Sequence, residues 1–334
     1  MKKILNLALT SASLLIISCK EPPKNAVKNS EVCASLPDEF STNRISNGCD
    51  VNAKNIIGNN STVFLFLGSS ACTGTVVSSH FVITASHCLF HEVNGYKKKE
   101  DIKVIFGNNA FDVFNIKIAN VKNYYTNDYY TTKSFYNPSL GDIALIETVE
   151  DLVKDLQLTP AKIAVNPPKP NQLILNVGYG STGRYDSKSY GLKRWSVSTL
   201  GKVDIYDPTS KYNSVNNFFK DQVNFGNVSN KFSTTKPEDT LIITDRITAQ
   251  QGQTCSGDSG GPEFVSFNGE ALLLSATQGA SGFWLGKKAH EILVNEEDDC
   301  NKLSTSINTR IAPYTDWLNS KMSARGESLV LVNN

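Results

Sequence analysis

The chain has 334 residues, of which 40% are hydrophobic and 19% are charged, enough to bury one sizeable core or two small ones. Its formal net charge of +1 gives no electrostatic reason to expect a nucleic acid or an acidic protein as a partner. The 16 Phe and 12 Tyr are scattered rather than interleaved with basic runs, which is typical of core and surface aromatic residues.

The N-terminal residues carry an export signal. Lys2 and Lys3 form a basic start, residues 4–17 are mostly apolar, and the run Ile-Ile-Ser-Cys ends at Cys19. This order is typical of a secretory signal, and the apolar run is too short for a spanning helix. The segment resembles a bacterial lipoprotein box, which implies a signal peptide at residues 1–18 and a lipid on Cys19. An ordinary signal peptide that contains a cysteine is the alternative.

The lipoprotein resemblance implies an exported protein that is held on a bacterial membrane by its N-terminal lipid. Lys20 follows Cys19, and the aspartate that marks inner-membrane retention is absent, which favours the outer membrane or cell surface. Export implies an oxidising compartment, so the other cysteines are candidates for disulfides. They are Cys33, Cys49, Cys72, Cys88, Cys255 and Cys300. Residues 19–44 are polar and contain proline, which predicts a tether.

Short apolar segments separated by Gly, Asn and Asp predict β-strands from about residue 61 onward. They lie at residues 63–67, 75–77, 81–83, 104–106, 143–146, 173–175, 241–243 and 271–274. Residues 313–322 have a proline near their start and apolar residues at helical spacing, and predict one late helix. Many short strands with little helix predict an all-β barrel or sandwich. Residues 201–240 are rich in Asn, Ser, Lys and Asp and predict a long surface insertion.

Three segments carry side chains suited to nucleophilic catalysis. They are Cys-Ser-Gly-Asp-Ser-Gly-Gly-Pro around Ser259, Val-Ile-Thr-Ala-Ser-His-Cys with His87, and Gly-Asp-Ile-Ala-Leu-Ile with Asp142. A serine hydroxyl needs a base to take its proton and backbone N–H groups to meet the developing oxyanion. Taken singly, each segment also has an ordinary structural explanation: a tight turn, a core histidine and a solvated aspartate.

Together, in the chain order His, Asp, Ser, the three segments resemble the motifs of the trypsin/chymotrypsin family of serine proteases. This order differs from that of subtilisins and of α/β-hydrolases. The resemblance implies that Ser259 is the nucleophile, that His87 is the base and later the acid, and that Asp142 orients His87. It also implies an oxyanion hole made by the N–H groups of Gly257 and Ser259.

The resemblance covers residues 45–322 and implies both a fold and an activity. The fold expected is all-β, with two six-stranded antiparallel β-barrels and a C-terminal α-helix, followed by a tail at residues 323–334. The activity expected is that of a secreted serine endopeptidase, monomeric and without cofactor or metal, which cleaves proteins or peptides. The main alternative is an inactive protease fold that binds a partner at the cell surface, and an esterase is a further one.

The family's disulfides imply pairings for the six cysteines. Cys72 would pair with Cys88 and fix the loop that bears His87. Cys255 would pair with Cys300 and brace the specificity pocket. The remaining two, Cys33 and Cys49, would then tie the tether to the protease domain.

The family's activation step implies a role for another acid. Cleavage after Arg44 would free the ammonium group of Ile45, which would turn inward and pair with Asp258 to shape the oxyanion hole. The segment Arg-Ile-Ser-Asn-Gly resembles the family's junction but departs from it after the isoleucine. The segment at residues 56–58 competes for this role but lies too close to His87, and Arg44 as an exposed linker residue is the other alternative.

The residues expected at the primary specificity pocket are neutral. In the family, the residue six before the nucleophile lies at the base of the pocket, and here it is Gln253. Gln278 stands in the segment that would form the pocket wall, where the family has Ser-Trp-Gly. A neutral side chain cannot make the charge-assisted pair that selects Arg or Lys, although Glu270 is a candidate for lending charge from another wall.

Overall fold

The computed structural model describes residues 49–50, 59–91, 95–127, 130, 141–169, 172–182, 189–200, 241–245, 254–281 and 305–334. Several predictions concern residues outside these ranges. They are the signal peptide with Cys19, the tether with Cys33, the junction at Arg44 and Ile45, the insertion at residues 201–240, Gln253 of the predicted pocket, and Cys300.

Short strands make up about half of the described chain. In order they are β1 (Cys49–Asp50), β2 (Thr62–Leu67), β3 (Ala71–Val76), β4 (Phe81–Thr84), β5 (Phe90–His91), β6 (Gly95–Tyr96), β7 (Ile102–Phe106), β8 (Lys117–Thr126), β9 (Ala144–Thr148), β10 (Lys162–Ala164), β11 (Leu173–Gly178), β12 (Arg194–Leu200), β13 (Leu241–Asp245), β14 (Pro262–Phe267), β15 (Glu270–Ser281), β16 (Thr305–Arg310) and β17 (Leu331–Val332). The α-helices are α1 (Ser86–Leu89) and α2 (Thr315–Met322).

The first barrel is a closed ring of six antiparallel strands in the order β2-β3-β4-β9-β8-β7. Strand side chains alternate between the two faces of a sheet, so every second residue points into the barrel. Val63 and Leu65 of β2, Val82 of β4, Val104 of β7 and Ile146 of β9 are all fully buried in one cluster. The apolar segments of the sequence therefore become the filling of this barrel.

The second barrel contains the other long strands. Antiparallel pairing runs β14-β11-β12-β13-β16-β15, and a further pairing of β15 with β14 closes the ring. Outside the ring, β10 pairs in parallel with β15 and β17 with β10, while β1 pairs with β12. The expected pair of six-stranded barrels is confirmed.

One buried cluster joins the two barrels. It contains Phe81 of the first barrel and Leu175 and Phe264 of the second, together with Leu318 and Met322 of α2. The C-terminal helix therefore packs against both barrels at once, and the groove where they meet is held by apolar burial on its inner side.

All the predicted strand segments lie within or overlap observed strands, whereas four strands of the two barrels, β8, β12, β14 and β16, contain no predicted segment. The sequence of β8 shows why, because five polar or charged side chains interrupt its apolar and aromatic ones. Helix α2 starts two residues later than predicted, after a 3₁₀ turn at Ala312–Tyr314. Within the described residues, no helix is long and apolar enough to cross a membrane.

Candidate active site

His87 and Asp142 meet at one end of the first barrel. His87 lies in α1, three residues after β4, and Asp142 lies two residues before β9, which pairs with β4. The ring atom Nδ1 of His87 lies 2.7 Å from Oδ2 of Asp142, and the backbone N–H of His87 donates to Oδ1 at 2.9 Å. One carboxylate therefore holds both the ring and the backbone of the same histidine, which fixes the orientation of the ring.

The environment of this pair suits a base. The Asp142 side chain is 1% exposed, whereas that of His87 is 31% exposed and open to an incoming group. Burial lowers the pKa of His87, but the charge of Asp142 and its hydrogen bond outweigh burial, so the pKa is raised above its usual value. With Nδ1 bound to the carboxylate, Nε2 is the nitrogen left to exchange a proton.

Two hydrogen bonds support the loop that carries Asp142. The Gly141 N–H donates to the hydroxyl of Tyr314 at 3.0 Å, and the Ser86 hydroxyl donates to the Ile143 carbonyl at 2.7 Å. Tyr314 lies just before α2, so the helix that packs on both barrels also positions the acid.

Ser259 lies in the turn before β14, and this turn is bonded to both barrels. The Thr73 N–H of β3 donates to the Ser259 carbonyl at 2.9 Å. On the other side, the Gly260 N–H donates to the Thr277 carbonyl of β15 at 2.7 Å, and the Thr277 N–H donates to the Gly261 carbonyl at 2.8 Å. These bonds place Ser259, the predicted nucleophile, in the groove between the barrels.

Gly260 lets the turn approach the histidine. Its φ of +75° lies in the left-handed region. A Cβ at this position would collide with the Thr84 hydroxyl and lie 2.7 Å from the Ala85 nitrogen. Both of these residues directly precede α1, so the absence of a side chain sets how closely Ser259 approaches His87.

The backbone of the turn leaves two N–H groups beside Ser259 for an oxyanion, and the N–H of Ser256 is a third that has no acceptor among the described residues. The N–H groups of Asp258 and Gly261 donate to carbonyls within the turn, and that of Cys255 donates to the Asp258 carboxylate. By contrast, the N–H groups of Gly257 and Ser259 donate to no acceptor among the described residues. Two unused amides flanking the nucleophile are what a developing oxyanion needs.

The orientation of the Gly257 amide is fixed from outside the turn. The Ser256 carbonyl accepts a hydrogen bond from the Ser181 N–H at 2.9 Å. Because the peptide bond is planar and trans, the Gly257 N–H points the opposite way from that carbonyl. Ser181 thus helps to set the predicted oxyanion hole.

The disulfide Cys72–Cys88 lies between the base and the nucleophile turn. Cys88 Sγ is 4.0 Å from His87 Nε2 and 3.7 Å from the Ser259 carbonyl oxygen. No hydrogen bond joins the Ser259 hydroxyl to His87 among the described residues, a contact that often forms only with substrate. His87 and these two sulfurs are the one cluster in the described chain with metal-ligand spacing, but sulfurs bonded to each other offer no thiolate.

The predicted pocket is described only in part. Gln278 is half-buried in β15, while Gln253 lies outside the described residues. Glu270 does not reach this wall, because it stands at the far end of β15 and its exposed carboxylate pairs with Lys162 Nζ at 2.7 Å. Cys255 is disulfide-bonded, but its expected partner Cys300 lies outside the described ranges.

Sequence reasoning missed the residues that support the site. They are Thr73, Gly180, Ser181, Arg194 and Tyr314. Each bonds to a backbone group distant in the chain, Tyr314 and Arg194 through their side chains, and such a contact leaves no residue pattern in a single sequence.

Comparison with known proteins gives a family match over most of the chain. The model of the family described as Trypsin matches residues 50–318. A trypsin of Phaedon cochleariae is 26% identical over 197 residues, which cover 58% of this chain and 64% of that protein. The hepatocyte growth factor activator serine protease of Homo sapiens is 24% identical, covering 77% and 34% of the two chains. The urokinase-type plasminogen activator of Gallus gallus is 23% identical, covering 76% and 51%. The chain thus spans less than two thirds of each relative's length.

Solved structures show the same fold. Neuropsin, a serine protease of mouse brain, superposes with a TM-score of 0.54 at 19% identity, covering 79% of this chain and 95% of its own. A mutant of human heparin binding protein gives a TM-score of 0.53 at 14% identity, covering 80% and 93%.

Proposed function

Because the chain belongs to the trypsin family of serine proteases, we propose that it is a serine endopeptidase with Ser259 as its nucleophile. His87 Nε2 takes the proton of the Ser259 hydroxyl as that oxygen attacks the scissile carbonyl, and later gives it to the leaving amine. Asp142 holds the ring through Nδ1 and stabilises the imidazolium that forms. Water then hydrolyses the acyl-enzyme by the same steps.

One observation carries the proposal: the two unused N–H groups lie beside a serine in the groove that also holds a carboxylate-bound histidine. The amides of Gly257 and Ser259 are positioned to bind the negative oxygen of the tetrahedral intermediate, an effect worth about 10²–10³ in kcat for one donor. The charge and hydrogen bond of Asp142 raise the pKa of His87 against the effect of burial, which favours transfer of the Ser259 proton to the ring.

The substrates we propose are proteins or peptides without a strict requirement for Arg or Lys. Gln278 is neutral, and so is Gln253, the residue expected at the base of the pocket. Glu270 is committed to Lys162, so among the three candidate groups no negative charge is left to select a basic side chain.

The test is active-site labelling of the full chain with a fluorophosphonate, together with cleavage of a peptide library. Ser259→Ala is expected to abolish labelling and to lower kcat by about 10³-fold or more. The matched control is Ser266→Ala, which removes a half-buried serine of β14 and is expected to retain both. A parent chain that binds a partner protein but takes no label would favour the inactive, partner-binding alternative.

We also propose export and a lipid anchor, on the basis of the basic and apolar N-terminus that ends at Cys19. Mass spectrometry of the membrane-bound protein is expected to find lipid on Cys19, and Cys19→Ser is expected to release the chain from membranes or block its processing. An unlipidated, fully soluble parent protein would refute the anchor and leave the enzymatic proposal untouched.

A further inference from the structure

A buried carboxylate lies directly beneath the nucleophile turn. Asp258 is 1% exposed. Its Oδ1 accepts a hydrogen bond from the Gly180 N–H at 2.7 Å, and its Oδ2 accepts one from the Cys255 N–H at 2.9 Å. A Cβ on Gly180 would lie 2.5 Å from the carboxyl carbon, so a glycine is needed for this approach. An ionised carboxylate at such a site is costly unless a cation lies near it.

Arg194 supplies positive charge that acts on this carboxylate. It is the first residue of β12, is 5% exposed, and pairs in register with Gly178 at the end of β11. Its Nη1 donates to the Gly180 carbonyl at 3.2 Å and to the Ser189 carbonyl at 2.5 Å. Gly180 therefore accepts from Arg194 through its C=O and donates to Asp258 through its N–H.

The same short segment also sets the oxyanion amide. Ser181 follows Gly180, and its N–H holds the Ser256 carbonyl, which aims the Gly257 N–H away from it. A continuous path of hydrogen bonds and adjacent peptides thus runs from the Arg194 guanidinium to the amide that would bind the oxyanion. Every residue of this path lies within the described part of the chain.

We infer that Arg194 is a positioning residue that does the work expected of the Ile45 ammonium: it neutralises Asp258 and holds the oxyanion turn in the uncleaved chain. The inference rests on the proposed function and concerns its regulation. It departs from the sequence-based expectation, in which Asp258 gains its cation only after cleavage behind Arg44. The enzyme is then active as synthesised and exported, without a zymogen step.

The pKa of Asp258 makes the role of Arg194 measurable in the pH dependence of activity. Burial raises the pKa of Asp258 to about 7, while the Cys255 and Gly180 amides and the charge of Arg194 act to lower it. Tyr190 also faces the carboxylate, and burial together with the Asp258 charge raises its pKa to about 12, so it stays neutral at neutral pH. Loss of Arg194 would raise the pKa of Asp258 further, so the acid limb of the activity profile would move to higher pH.

The experiment compares variants of the full chain whose N-terminus is verified by mass spectrometry. Arg44→Gln, which removes the predicted cleavage site, is expected to retain the parent's kcat. In that background, Arg194→Gln is expected to lower kcat roughly 10- to 100-fold with little change in KM, because the oxyanion amide loses its support. The acid limb is expected to shift to higher pH in the same variant.

Two further variants separate positioning from a merely structural role. Arg310→Gln is the matched control, since Arg310 is also buried and its Nη2 caps the Val165 carbonyl; it is expected to lower stability without changing kcat or the acid limb. Arg194→Lys keeps the positive charge but has one nitrogen to donate to several carbonyls. Compared with Arg194→Gln, it is expected to return the acid limb of the pH profile to its position in the parent but to recover only part of kcat. If Arg194→Gln does not fold, Arg194→Lys decides, and a kcat equal to the parent's overturns the inference.

The remaining outcomes separate this inference from the proposed function. An Arg194→Gln variant with the kcat and pH profile of the parent overturns the role of Arg194. A parent that gains activity only on cleavage after Arg44, with Arg44→Gln inactive, overturns the inference while the peptidase stands. A chain that takes no fluorophosphonate at Ser259, whether intact or cleaved, overturns both.

Discussion

The two halves of the candidate site are held in different ways. In the first barrel, His87 is held by direct contacts, since one carboxylate binds its ring and its backbone. In the second barrel, the turn around Ser259 is held indirectly, through relays of hydrogen bonds. Residues 180 and 181 bond to Asp258 and to the Ser256 carbonyl, and Arg194 in turn bonds to the Gly180 carbonyl. The base therefore depends on one residue, whereas the oxyanion turn depends on several distant ones.

This difference bears on how each half fails. Removing a direct partner takes away the whole effect at once, because among the described residues no other side chain bonds to Nδ1 of His87. Removing one member of a relay leaves the others in place, so smaller and more graded losses follow. The predictions below test this contrast, beginning with the largest expected effect.

The largest effect is expected from Asp142→Asn. The substitution keeps the shape of the side chain but removes the charge that holds the ring and its tautomer, so kcat is expected to fall by about 10³–10⁴-fold. The charge and hydrogen bond of Asp142 raise the pKa of His87 against burial, so their loss lowers that pKa. The acid limb of activity is then expected to move to lower pH, opposite to the shift expected for Arg194→Gln.

Steady-state kinetics across pH would measure both effects. Asp316→Asn is a suitable control because that aspartate is exposed in the first turn of α2, away from His87. A loss of kcat below tenfold in folded Asp142→Asn would contradict the dependence of the base on a single residue.

A smaller effect is expected from removing the Cys72–Cys88 disulfide, which lies between His87 and the turn around Ser259. The bond closes a loop of 16 residues, so the Cys72→Ala/Cys88→Ala double variant is expected to lose about 3 kcal/mol of unfolding free energy. Because Cys88 Sγ lies against both His87 Nε2 and the Ser259 carbonyl, kcat is expected to fall as well, by less than in Asp142→Asn.

Denaturant unfolding of the double variant is more informative than reduction of the parent protein, since reduction would also break the disulfide of Cys255. An unchanged unfolding free energy would mean that strands β3 and β4 alone hold α1 in place. The alanines fill less space than the sulfurs, so a small part of the loss is expected from the cavity.

The contrast between the halves also explains what the sequence could predict. His87, Asp142 and Ser259 stand in local motifs, because each is presented by a strand end or a tight turn whose residues are adjacent in the chain. The apolar segments with turn residues between them predicted an all-β barrel or sandwich, and the family resemblance implied the two barrels. Half of the side chains of the missed strand β8 are polar or charged. The Arg194 path could not be predicted, since it joins residues through backbone groups that any residue type supplies.

The smallest effect is expected from Tyr314→Phe. This variant tests whether the position of Asp142, and so of His87, also depends on an indirect contact. The Tyr314 hydroxyl accepts the Gly141 N–H next to Asp142, so its loss leaves a buried donor unsatisfied at a cost of about 1–2 kcal/mol.

Asp142 keeps both bonds to His87 in this variant, so kcat is expected to fall only a few-fold, with an unchanged acid limb and an unchanged KM. Tyr124→Phe is the matched control, because it also removes a hydroxyl bonded to the backbone, at the Lys97 carbonyl; it is expected to lower stability without changing kcat. If Tyr314→Phe instead lowered kcat as far as Asp142→Asn does, the carboxylate would depend on its loop as strongly as the oxyanion turn depends on Arg194. His87 would then also be held indirectly, because Asp142 would bind it only while Tyr314 holds the neighbouring Gly141 amide.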